Sequence, residues 1–256
     1  MAAPAATVLA LLGCAGGDRA SRATTPAAGA PAVTAPAAPA PKASGTGAAG
    51  REPKAEDVRR GRWAARLLRP AILRTAPGGR RVARVGLETG YALPRVMAVA
   101  ALRPGWVGVR ALQRPNGELG WLPADAVRLT PVRTTLVADL SDRELTLRVG
   151  GAVRHRVPVG IGRPGSETPL GRYGVTDRLR GGDGPSPYGC CIIPLTGHQP
   201  DPPPGWTGGT RLALHGTPSQ GSVGQEVSAG CLRMRDADIR RLLREVPLGA
   251  TLVVRA

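Results

Sequence analysis

This 256-residue sequence predicts a mainly β protein, on three observations. Apolar and polar residues alternate at period two in short runs, as in Leu145-Thr146-Leu147-Arg148-Val149. The 36 glycines and 26 prolines cut the chain into segments too short for long helices. Only Ile239, Leu242, Leu243 and Val246 repeat apolar residues at helical spacing.

Taken in order, residues 1–14 are apolar and end in Leu11-Leu12-Gly13-Cys14. They are too short to span a membrane as a helix. They resemble a signal peptide with a bacterial lipobox, which implies lipidation of Cys14, although the usual basic leader start is missing. Residues 15–62 are Ala, Pro, Thr, Gly and Ser with no apolar period. They are expected to form a disordered, partly polyproline spacer.

Residues 66–131 read as a small all-β module. Ile72 to Gly79 is a strand entering a turn, Val96 to Val99 and Trp106 to Arg110 are strands, and Pro115-Asn116-Gly117 is expected to be a tight hairpin turn before a closing strand from Leu119. Trp106 and Trp121 are expected in its core. The run from Gly105 to Val127 resembles bacterial SH3-like domains.

Residues 134–256 continue the β rhythm. Val153, Val157, Val159 and Ile161 are expected on one apolar strand face, with His155 packed beside them. Turn residues dominate Gly160 to Tyr173, and His198 begins a Pro/Gly-rich loop reaching Trp206, a candidate flap with His198 exposed. Asp236 or Asp238 is expected to cap the one clear helix, Pro247 to stop it, and Thr251 to Val254 to form a last strand.

The chemistry concentrates in Arg211-Leu-Ala-Leu-His215-Gly216-Thr217 and, after a loop, Val227-Ser228-Ala229-Gly230-Cys231-Leu232-Arg233. A thiol attacks as thiolate, and its ordinary pKa near 8.5 leaves little thiolate at neutral pH without a base. His215 is placed to be that base. Arg233 adds a fixed positive charge for a thiolate or a substrate carboxylate. The backbone N–H groups of Gly230 and Cys231 are candidate oxyanion donors. The plain alternative is a packed core thiol and a satisfied strand-end histidine.

These residues resemble the L,D-transpeptidase catalytic domain, the YkuD family, whose motif is a His, usually followed by Gly, then Ser-His-Gly-Cys, an apolar residue and Arg or Asn. His215, Ser228, Gly230, Cys231 and Arg233 match it. Ala229 departs from it, standing where most members have a second histidine. Thr168-Pro169-Leu170-Gly171 and Tyr188-Gly189 resemble two further family segments. SH3-like domains precede such domains in some actinobacterial proteins.

The resemblance implies a β-sandwich with one short helix after the nucleophile, and a cysteine-dependent acyltransferase acting on peptidoglycan stem peptides. It implies Cys231 as nucleophile, His215 as proton donor and acceptor, Gly216 as backbone orienter and Gly230 as oxyanion donor. Arg233, Ser228, Tyr188 and Thr217 would touch substrate. Release of terminal D-alanine and transfer to an amine would give a cross-link; water as acceptor would make an L,D-carboxypeptidase. Neither a cofactor nor a metal is called for: Cys190-Cys191 lacks zinc-knuckle spacing and reads as packed thiols. A monomer in the cell envelope, on the outer face of the cytoplasmic membrane, is expected, either held by its lipid anchor or secreted through a plain signal peptide.

A net charge of +17 comes almost wholly from arginine, since Lys42 and Lys54 are the only lysines. The arginines are scattered, aromatics are few, and no nucleic-acid-binding motif appears, so no nucleic-acid partner is expected. Ala229 favours one further alternative, a catalytically dead wall-binding lipoprotein.

Overall fold

The computed structural model describes residues 53–181 and 186–256. The lipobox-like segment and residues 15–52 of the expected spacer lie outside the described residues. The spacer's last part is not irregular: α1 (Ala55–Arg59) is a short helix that buries Val58 beneath the first sheet.

Seven strands follow: β1 (Trp63–Leu67), β2 (Ala71–Arg74), β3 (Arg81–Val85), β4 (Val96–Arg103), β5 (Trp106–Val109), β6 (Gly120–Pro123) and β7 (Val127–Pro131). They pair in the order β3-β2-β6-β5-β4-β1-β7, every pair antiparallel. Leu73, Val85, Val99, Val107, Val109 and Leu122 fill a core of their own. Burying such side chains stabilises by roughly 1.5–3 kcal/mol each. Two expectations are corrected here. Pro115 to Gly117 does form a tight turn, closed by the Glu118 N–H on the Pro115 carbonyl at 3.1 Å, but it is no hairpin connection, since it lies within a ten-residue loop between β5 and β6. Trp106 and Trp121 are only half-buried; Trp63 is the tryptophan in the core.

The second half contains β8 (Thr134–Asp139), β9 (Glu144–Val149), β10 (Ala152–Pro158), β11 (Ile161–Gly162), β12 (Gly171–Gly174), β13 (Leu179–Arg180), β14 (Cys191–His198), β15 (Arg211–His215), β16 (Glu226–Ser228), β17 (Leu232–Arg233), α2 (Asp236–Glu245) and β18 (Thr251–Arg255). One sheet runs β10-β9-β8-β18-β12, another β13-β14-β15-β17, and β11 pairs with β16. Leu136, Leu145 and Leu147 from the first sheet and Ile193, Leu195 and Leu214 from the second share a single core with Ile239 and Leu242 of α2. The mainly β architecture with one short helix after Cys231 is as expected.

Several local expectations fail for identifiable reasons. A bulge between Val153 and His155 turns Val153 outward to 41% exposure, while Val157, Val159 and Ile161 stay buried. His155 accordingly sits half-buried at the sheet edge, its Nε2 2.8 Å from Glu245 Oε1. Neither Asp236 nor Asp238 caps α2, because Arg235 holds the N-cap position with no side-chain cap.

His198 is no exposed loop residue; it ends β14, half-buried against the N-terminal module. Its Nε2 lies 2.7 Å from the Leu112 carbonyl oxygen, its backbone N–H donates to Asn116 Oδ1 at 2.9 Å, and Asn116 Nδ2 donates back to its carbonyl at 2.6 Å. The loop carrying Asn116 thus docks on the strand that pairs with β15.

Candidate active site

Strand pairing brings the two motif segments together. β15 lies antiparallel to β14 with His215 opposite Ile192, and parallel to β17 with Leu214 opposite Leu232 and His215 opposite Arg233. Cys231 immediately precedes Leu232, so its thiol enters beside the strand that carries His215. Its Sγ lies 3.9 Å from the Arg211 carbonyl oxygen.

The turn before the thiol is built from small residues. Gly230 has φ +110°, a region open mainly to glycine, and a Cβ there would stand 2.3 Å from Gln199 Nε2. Ser228 is buried, and its hydroxyl accepts the Gly230 N–H at 3.0 Å and donates to the Cys231 carbonyl at 2.7 Å. Two expectations are revised by this. The Ser228 hydroxyl holds the Cys231 turn instead of facing substrate, and the Gly230 N–H already has a partner. Thr217 is also turned inward: buried, it accepts the Ser219 N–H at 3.1 Å and lies 3.5 Å from Ser222 Oγ.

Gln199 is a site residue that the sequence did not reveal. Its buried amide donates to the carbonyls of Ser166, Glu167 and Ala229 at 3.0, 3.0 and 3.2 Å. It thereby ties the turn containing Ala229 to the Thr168-Pro169 segment. No local pattern marks a single glutamine in a proline-rich loop for that task.

The His215 imidazole is 3% exposed, and its Nδ1 lies 2.6 Å from the Gly216 carbonyl oxygen. Gly216 must be small: a Cβ would fall 2.2 Å from Asp236 Oδ1. The Asp236 carboxylate in turn accepts the Cys190 N–H at 3.2 and 3.3 Å, fixing the Tyr188 to Cys190 turn above the histidine. Tyr188 then meets the imidazole edge-on, with centroids 5.1 Å apart and planes at 85°. Arg233 is half-buried, with its Nε buried and unpartnered.

Burial dominates the electrostatics. It lowers the His215 pKa to about 4; the Gly216 carbonyl opposes and the nearby Arg233 adds to the shift. Burial also raises Cys231, while the Ala213 backbone and Arg233 pull it down. The resting pair is therefore neutral imidazole and thiol. Cys190 and Cys191 are free thiols, and burial pushes Cys190 up to about 12, which leaves it protonated and inert.

The second half of the chain resembles known proteins. Residues 133–254 match the family YkuD, described as the L,D-transpeptidase catalytic domain. The chain is similar to the Salmonella typhimurium protein named Probable L,D-transpeptidase ErfK/SrfK, 30% identical over 158 residues, 56% of this chain and 50% of that protein. It is also similar to YkuD of Bacillus subtilis, 26% identical over 119 residues, 46% of this chain and 64% of that protein. Among solved structures, L,D-transpeptidase 3 from Mycobacterium tuberculosis with a faropenem-derived adduct aligns with a TM-score of 0.40 and 19% identity, over 54% of this chain and 73% of that one. The chain spans half the length of the first of these curated relatives and 64% of the second. Residues 133–254 belong to the YkuD family of L,D-transpeptidase catalytic domains.

Proposed function

We propose that this chain is a peptidoglycan L,D-transpeptidase that works through a Cys231 acyl-enzyme. The observation that carries the reading is the His215 to Gly216 contact beside the Cys231 turn. A carbonyl only accepts, so the contact assigns the proton to Nδ1 and leaves the Nε2 lone pair as the base.

Substrate binding expels water from the cleft, and Nε2 takes the thiol proton as Sγ attacks the carbonyl at the L-centre of the stem's third residue. The C–S bond forms as the carbonyl π electrons move to oxygen. When the tetrahedral intermediate collapses, the C–N bond breaks, His215 returns the proton to the leaving D-alanine amine, and a thioester remains. Such proton transfer contributes about 10²–10⁴ in rate. An amine of a second stem then attacks the thioester carbonyl and gives its proton to His215 Nε2 as the C–N bond forms, and the C–S bond breaks as Cys231 Sγ takes that proton back. The Cys231 N–H is the backbone donor proposed for the oxyanion, since Gly230 donates to Ser228. Arg233 and Tyr188, both beside His215 and Cys231, are proposed to hold the peptide.

The lipobox-like end at Cys14 and the Ala/Pro-rich spacer support an enzyme on the outer face of the cytoplasmic membrane, reaching into the wall. The seven-stranded module, read as SH3-like, is proposed to position the catalytic half. The test is product mass from a synthetic stem tetrapeptide. A cross-linked dimer with free D-alanine supports transpeptidation; tripeptide alone assigns carboxypeptidase activity; unchanged tetrapeptide with folded, reduced protein contradicts both.

A further inference from the structure

A cavity of about 120 Å³ lies where the N-terminal module meets β14 and β15. The module lines it with Thr89, Arg95 and Arg110, and the catalytic half with Thr176, Asp177 and Arg211. None of this polar cluster takes part in the chemistry above. Asp177 is fully buried. One of its oxygens accepts from Arg211 at 2.8 Å, but Oδ1 is buried without a partner. A buried acceptor left unsatisfied is costly, so a donor belongs there.

The charge around that oxygen restricts the donor. Arg211 reaches the other oxygen: its Nη2 donates to Asp177 Oδ2 at 2.8 Å and to Thr176 Oγ1, and its Nε donates to the Leu195 carbonyl at 3.1 Å. Arg95 donates to the carbonyls of Gly86 and Glu88, and Arg110 to that of Arg172 at 2.9 Å, yet neither meets a carboxylate in those contacts. Arg95, Arg110 and Arg211 thus line the cavity with a single carboxylate, that of Asp177. A plain cation is repelled by the surplus positive charge, and a plain anion meets the unpartnered Asp177 oxygen. A group carrying ammonium and carboxylate on one carbon satisfies both.

We propose that this cavity is a subsite for a zwitterionic amino-acid group, its ammonium donating to Asp177 Oδ1 and its carboxylate accepting from Arg95 and Arg110. On the same scale as the cavity volume one water needs about 10–15 Å³, so the cavity has room for a group of several heavy atoms.

Position relates the subsite to the cleft. Arg211, Ala213 and His215 share one face of β15, so the cavity lies about 13 Å along the strand from the imidazole. That is about four extended residues. The Tyr91 ring, 5.9 Å from the Arg211 guanidinium carbon, and Tyr188 over His215 stand along this face. The subsite therefore takes an end or branch of a peptide several bonds from the reacting carbonyl. Its use in catalysis rests on the transpeptidase reading; its binding does not.

The test is a titration of the full, reduced chain with glycine, acetate and methylammonium, followed by backbone amide shifts. Glycine is expected to shift the amides of residues 89–95 and Asp177 saturably, with acetate and methylammonium at least tenfold weaker. Asp177→Asn and the more exposed Arg95→Gln are each expected to weaken glycine at least tenfold while leaving Cys231 acylation by a carbapenem within about twofold. Acetate alone matching glycine, or no saturable shift because water alone fills the cavity, overturns the proposal. If Asp177→Asn does not fold, Arg95→Gln and the three probes still decide. Loss of carbapenem acylation in the parent chain counts against the transpeptidase reading and leaves the subsite to the glycine result.

Discussion

The Nδ1 of His215 stands 2.6 Å from the carbonyl oxygen of Gly216, the next residue in the chain. One peptide unit thus both positions the ring and selects its tautomer. The Asp236 carboxylate packed against Gly216 holds that peptide unit in place.

The first prediction concerns pH. Burial lowers the His215 pKa to about 4, so the proposed base stays neutral far below the usual histidine range. Carbapenem acylation rates should hold from pH 7 to about 5 and fall through pH 4; a limb centred at 6.5 contradicts the assignment. Stability follows the same group. Its folded pKa lies below the unfolded 6.5, so the unfolded chain binds more protons in that window and stability is lost as pH falls from 6.5 through 4. The full loss is about 3 kcal/mol, and denaturant titrations of His215→Gln should show it reduced.

Gly216→Ala should be severe for its size. The new Cβ would lie 2.2 Å from Asp236 Oδ1, so the peptide unit that orients His215 must move. Acylation should slow at least tenfold, since each 1.36 kcal/mol is a factor of ten. Adding Asp236→Ala should recover part of the loss, and a strictly additive double variant would show that the two residues do not communicate.

Ser228→Ala removes the acceptor for the Gly230 N–H and the donor to the Cys231 carbonyl. A loss of about 1–3 kcal/mol in urea unfolding is expected, with slower acylation from a looser turn. Ser228→Thr keeps the hydroxyl and should retain more activity than Ser228→Ala; equal rates would remove the hydroxyl from the account.

Gln199→Leu leaves three carbonyls without their donor, those of Ser166, Glu167 and Ala229. Midpoint loss in thermal unfolding should exceed that of Gln199→Glu wherever the acid is protonated. An unchanged midpoint for Gln199→Leu would show that the Ala229 turn stands without this support.

What was legible in the sequence was what local pattern encodes. Alternation revealed the strands, and the apolar run before His215 and the glycine before Cys231 put base and thiol in adjoining segments. Partners distant along the chain left no local trace. Gln199 reaches back 33 residues to Ser166, and Asp236 reaches 46 to Cys190, where helix-capping chemistry was the only role visible locally. Ser228 and Thr217 carry polar side chains next to the site, yet their hydroxyls close their own turns. The bulge that exposes Val153 is a register event invisible to a period-two pattern.

The most direct test of the central claim is intact mass of the full, reduced chain after incubation with a carbapenem, beside Cys231→Ala and His215→Ala. One adduct on the parent, none on Cys231→Ala and a rate about 10²–10⁴ lower on His215→Ala is the predicted result. No adduct on the folded parent, or an adduct that survives Cys231→Ala, would contradict the account.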